Sequence, residues 1–106
     1  MNYFDHMCSM SGYSAKTTFW DDFTIADKYG KDAIEDTYER AFKEWKSDHI
    51  YLTEFVMVLN WKCWEHYENG NIEFSELYSK LFYKAQNYAH SHLKGDELSY
   101  FLRTTD

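Results

Sequence analysis

Apolar side chains return every three or four residues along most of this chain, which is the signature of amphipathic helices. Phe19, Phe23, Ala26 and Tyr29 mark a short first helix that stops at Gly30, with Thr18 as N-cap and Asp21 at N3. Ile34, Tyr38, Ala41, Phe42 and Trp45 define a second helix, capped by Asp32 with Glu35 and ending near Lys46. A third runs from about Tyr51 to Glu68. Leu52, Phe55, Val56, Leu59, Cys63 and Tyr67 line one of its faces, and Met57, Val58, Trp61 and Trp64 cover much of the rest. A helix apolar around most of its circumference belongs at the centre of a bundle.

The fourth helix is the most regular, with Phe74, Leu77, Tyr78, Leu81, Phe82, Ala85, Tyr88, Ala89 and Leu93 on its buried side. Asn69-Gly70-Asn71 is the turn before it, with Asn71 as its cap, and Lys94-Gly95 closes it. Asp96 then caps a final short helix holding Leu98, Phe101 and Leu102. No stretch alternates with period two for long enough to make a strand. The expected fold is therefore all-α, a small helical bundle of four to five helices with short connections, and Phe42, Phe55, Leu59, Leu77 and Leu81 in its core. Residues 1–16 have no steady period and are Ser-rich, so they read as a mobile or loosely docked tail before a single helical domain, 17–106.

Composition adds two constraints. Aromatic residues make up 21% of the 106 positions, too many for one modest core, so some rings are expected at the surface. Eighteen acidic against eleven basic side chains give a formal charge of −7, which repels polyanions and argues against direct binding to nucleic acid or to an anionic membrane. The run Phe55-Val56-Met57-Val58-Leu59 is far too short to span a bilayer, and the first residues have neither the basic nor the apolar region of a secretory signal. Two cysteines, Cys8 and Cys63, do not make a disulfide framework. These points lead to the expectation of a reduced, cytoplasmic protein.

The stretch "IADKYGKDAIEDTYERAF", residues 25–42, has the outline of a helix-turn-helix. Its second helix, however, carries Asp32, Glu35, Asp36 and Glu39 against only Lys31 and Arg40, the wrong sign for facing phosphates. A corner between packed helices explains the pattern better, and a DNA-binding regulator is the weaker alternative. The same acids suggest the opposite role. Asp32 with Asp36 and Glu35 with Glu39 are i,i+4 pairs, roughly 5–6 Å apart at Cβ, and Asp21, Asp22 and Asp27 lie just upstream. Carboxylates in such rows can imitate the phosphates of a nucleic-acid strand and occupy a basic protein groove.

Site chemistry is sparse. Cys63 and His66 are three apart on one helix, and His6 with Cys8 offers a second pair of metal ligands, but half of that set lies in the irregular tail and Cys63 fits the apolar stripe. His90 and His92 point to different helix faces. No nucleophile elbow, phosphate loop or His-Glu-x-x-His motif is present. The expectation is a non-enzyme with no cofactor and no metal.

The segments "TTFWDDFTIADKYG", "DAIEDTYERAFKEWK" and "YLTEFVMVLNWKCWEHYE", with the "LKGDELSYFLRTTD" end, resemble a group of short uncharacterised acidic helical proteins encoded on mobile elements of gut bacteria. That resemblance implies a genomic setting rather than catalytic residues. Proteins of this size and charge on such elements include inhibitors of host defence nucleases, of anti-CRISPR and anti-restriction type. The expected function is thus a non-catalytic protein-binding module. Its partner is a protein such as a nuclease with a basic groove, met by an acidic face of Asp21, Asp22, Asp27, Asp32, Glu35, Asp36 and Glu39. The alternative is a helical homodimer of structural or regulatory role, joined through Trp61 and Trp64.

Overall fold

The computed structural model describes residues 15–105, with side chains from Thr18 onward. Of the expected tail, residues 1–14, with His6 and Cys8, lie outside the described residues, whereas Ala15 and Lys16 belong to the first described helix. Among the described residues five helices follow one another: α1 (Ala15–Asp27), α2 (Lys31–Trp45), α3 (His49–Glu68), α4 (Ile72–His92) and α5 (Gly95–Thr105). There is no strand among the described residues, so the all-α expectation holds.

The longest helices, α3 and α4, form the most extensive pairing, and α1 packs against α3 while α2 leans on α1, α3 and α4. At its centre Phe55 meets Phe19, Phe23 and Tyr38 at ring-centroid distances of 5.3, 5.9 and 5.4 Å. Leu59, Leu77 and Leu81 are buried as expected, whereas Phe42 is only partly covered. Burial of each such side chain is worth roughly 1.5–3 kcal/mol.

Helix ends differ from the expected caps in instructive ways. α1 begins at Ala15, so Thr18 lies within its first turns rather than at its cap. Gly30, not Asp32, is the residue ahead of α2, with φ 105° and ψ −174°, a backbone shape reserved for glycine. Asp48 caps α3, its Oδ1 accepting from the amides of Ile50 at 3.0 Å and Tyr51 at 3.1 Å. At the end of α3 the Asn71 amide donates to the His66 carbonyl and the Gly70 amide to that of Tyr67. Gly70, at φ 78°, makes that reversal. Asn71 precedes α4 but makes no side-chain cap bond. Asp96 lies inside the first turn of α5, which begins at Gly95.

Candidate functional site

Two arrangements of charged side chains stand out. The first is buried at the junction of α1, α3 and α4. Lys62 falls three residues after Leu59 and seven after Phe55, on the inward stripe of α3, and is 1% exposed. Asp27 follows Phe23 by four residues and so ends the inward stripe of α1. The two meet, Lys62 Nζ lying 2.7 Å from Asp27 Oδ2 and 2.6 Å from Glu65 Oε1. Its third donor reaches Thr24 Oγ1 at 3.3 Å, and the Trp20 ring lies 4.6 Å from the ammonium.

Asp27 is equally occupied. Its Oδ1 accepts from the Tyr78 hydroxyl at 2.6 Å, and its Oδ2 accepts from His66 Nε2 at 2.9 Å as well as from Lys62. Since a carboxylate only accepts, the His66 proton sits on Nε2 in this arrangement, and Nδ1 accepts from Asn71 Nδ2 at 3.2 Å. This is where the expected cap of α4 is spent. The His66 ring stacks on Tyr78 and meets Phe74 edge-on. Burial, followed by the hydrogen bond to Asp27, pushes the Tyr78 phenol far above the usual tyrosine range.

Ligand atoms of Asp27, Glu65 and His66 converge within 4.8 Å of one another, the spacing of a metal centre. The position between the two carboxylates is filled by the protein's own cation, Lys62. Every donor of that ammonium is engaged, and three donors converge on Asp27. The cluster is a clamp that ties α1 to α3 and α4 through Lys62, Asp27, His66 and Tyr78.

Cys63 and His66, paired in sequence, turn apart. Cys63 Sγ lies 3.4 Å from Ser75 Oγ, whose hydroxyl donates to the Cys63 carbonyl, while His66 faces Asp27. His92 Nδ1 is 2.9 Å from the Tyr88 carbonyl oxygen, and His90 meets Phe101 edge-on.

The second arrangement is the acidic surface of α1 and α2. Asp21, Asp22, Asp32, Glu35, Asp36 and Glu39 are all exposed. Asp27 does not join them, because its carboxylate is turned into the clamp and only 14% exposed. Two of the others already have partners: Asp36 pairs with Arg40 at 3.4 Å and Glu39 with Lys84 at 3.3 Å. Asp32 and Glu35 have no ion pair among the described residues.

Between the two helices lies an open groove of about 420 Å³. Phe19, Ala26, Ala33, Ala41 and Trp45 line its apolar part, and Asp22, Asp36, Arg40 and Glu44 its polar part. Ile25 on α1 and Tyr29 in the turn that follows it also line the groove and are 54% and 78% exposed, so Tyr29 does not continue the buried stripe of Phe19, Phe23 and Ala26. Partial burial pushes the Asp22 carboxyl up, with Arg40 opposing and Asp21 adding to the shift.

The aromatic surface expected on α3 is divided. Trp61 packs partly against the core, whereas Trp64 is exposed and meets the equally exposed Tyr67 edge-on at 5.7 Å. Tyr67 therefore does not continue the buried stripe of α3 as its spacing predicts. No described helix is long and apolar enough to cross a membrane. No known protein family, no curated protein and no solved structure matches the chain.

Proposed function

We propose that this chain is a non-catalytic protein-binding module that engages a basic surface of another protein through α1 and α2. The observation that carries the reading is the continuity of the acidic surface. The exposed carboxylates on the outer side of α2 reach the groove through Asp36, and Asp22 of α1 faces it from the other wall. Exposed like charges on two packed helices contribute little to folding, and they suit an oppositely charged partner whose approach they steer. The saturated clamp supports a non-enzymatic reading, since the most concentrated set of titratable groups is committed to holding the helices.

The specific form of this proposal is inhibition of a nucleic-acid-handling enzyme, such as a host defence nuclease, by occupation of its basic groove. Asp21, Asp22, Asp32 and Glu35 carry most of that role, because Asp36 and Glu39 are partly neutralised by Arg40 and Lys84. A wild-type bait and a variant with Asp32, Glu35, Asp36 and Glu39 reversed to lysine should be compared for capture of basic host proteins. The wild type should retain a partner that competing DNA or RNA displaces, and the reversed variant should not. Equal capture by both, or a partner indifferent to polynucleotide, removes the nucleic-acid-mimic reading. A mobility shift on random DNA should remain negative.

The exposed Trp64–Tyr67 pair favours a second reading, a homodimer formed through α3. Sedimentation across a concentration series decides it. Self-association that disappears in Trp64→Ser supports the dimer, and a monomer at all concentrations excludes it.

A further inference from the structure

The groove between α1 and α2 has features that an acidic surface alone does not need. Three of its lining residues are alanines, Ala26, Ala33 and Ala41, and their small side chains leave the space open between Phe19 and Trp45. Its volume falls within the roughly 300–1,000 Å³ range of sites that enclose a ligand group. Ile25 and Tyr29 stand at its edge with much of their apolar surface in water, where a partner would cover them.

Its charge is as specific as its shape. Three carboxylates, Asp22, Asp36 and Glu44, line the groove against a single guanidinium, Arg40, which is engaged with Asp36. Asp22 makes no hydrogen bond and no ion pair within bonding distance among the described residues, and Arg40 in the same groove offsets its charge only in part. A carboxylate on the wall of such a groove is stabilised by an incoming cation and penalised by an incoming anion.

We infer that the groove receives a segment of the partner protein that presents an aromatic or long aliphatic side chain beside a lysine or arginine, the apolar group entering over Ala26, Ala33 and Ala41 and the cation binding Asp22. This inference rests on the protein-binding reading above and names the chemistry of the partner. The apolar group supplies anchorage by displacing water from the floor, and the ion pair fixes which way the segment lies.

Three small probes that share an indole and differ in charge test it: tryptamine, tryptophol and indole-3-propionate. Each is titrated into the isotope-labelled full chain while backbone amide shifts are followed by NMR. Tryptamine should move the amides of Asp22, Ala26, Ala33 and Thr37, tryptophol should move the same amides at higher concentration, and indole-3-propionate should be weakest. Asp22→Asn should weaken tryptamine roughly two- to five-fold, the range of an exposed ion pair, and leave tryptophol unchanged. Ala33→Leu, which fills the floor with another good helix former, should abolish groove binding by both, with unchanged amide dispersion elsewhere showing that the fold persists. A preference for the anionic probe, shifts confined to other surfaces, or indifference to both variants overturns the inference. The outcomes separate from those of the parent reading. Partner capture lost on reversing Asp32 and Glu35 with no probe in the groove sinks only the groove, whereas probe binding with unaltered capture sinks only the acidic-face reading.

Discussion

Asp27 and Asp36 carry the same carboxylate on neighbouring helices, yet Asp27 is locked among Lys62, His66 and Tyr78 while Asp36 meets only Arg40 at the surface. Solvent separates the two cases. At the junction of α1, α3 and α4 Lys62 is sealed from water and Asp27 nearly so, so these charges must be matched by named groups, and removing one strands the others. On α2 water solvates each carboxylate, and the pairs with Arg40 and Lys84 are each worth about 0–1 kcal/mol. Charge at the junction determines how the helices fit together, and charge on α2 is free to serve a partner.

The largest way to break this contrast is Lys62→Met. It leaves Asp27 and Glu65 facing each other without their shared cation, and stability should fall by about 3–5 kcal/mol in denaturant unfolding. A loss under 1 kcal/mol would mean that the junction is as well solvated as the surface. Alkaline titration gives a smaller effect. Burial raises the Tyr38 phenol to about 12 and that of Tyr78 further still, so both stay neutral in the folded chain when the unfolded chain ionises near 10. Stability should be level below pH ~10 and decline above it, Tyr38 alone contributing about 2–3 kcal/mol by pH 12. Tyr78→Phe should be less stable at neutral pH, through loss of the bond to Asp27, and should show a shallower alkaline decline. The smallest effect belongs to the surface. Reversing Asp32 and Glu35 to lysine should alter stability by less than about 0.5 kcal/mol each and leave the helical circular dichroism intact. A collapse of the helical signal would show that α2 depends on those acids for its fold.

The five helices could be read from the chain because periodicity and turn chemistry are local. Phe19, Phe23 and Ala26 lie on the buried side of α1, and Gly30, Gly70 and Gly95, at the helix boundaries, all have positive φ. The clamp was readable in principle, though not from a count of acids. Asp21 and Asp27 are six residues apart, which at ~100° per residue puts them on well-separated sides of a helix. Asp27 is set apart from its acidic neighbours by its spacing of four from Phe23, and Lys62 falls on the stripe of Phe55 and Leu59. A lone acid and a lone base on two apolar stripes are a signal for a buried pair. The groove left no such trace. Ala26, Ala33 and Ala41 read as ordinary packing alanines, and only the relative placement of α1 and α2 turns them into a floor.

The clamp also bears on the order in which the chain folds. α3 and α4 are adjacent helices joined by a short turn, so their pairing closes a small loop, whereas Asp27 reaches His66 across 39 residues and Tyr78 across 51. Contacts between distant positions form late when local ones can form first. The α3–α4 hairpin should therefore assemble early, with Lys62 still hydrated, and α1 should dock afterwards as Asp27 takes up the ammonium. Bonds made after the rate-limiting step act as a latch on the finished structure: Asp27→Asn should leave the refolding rate nearly unchanged and shorten the lifetime of the native state.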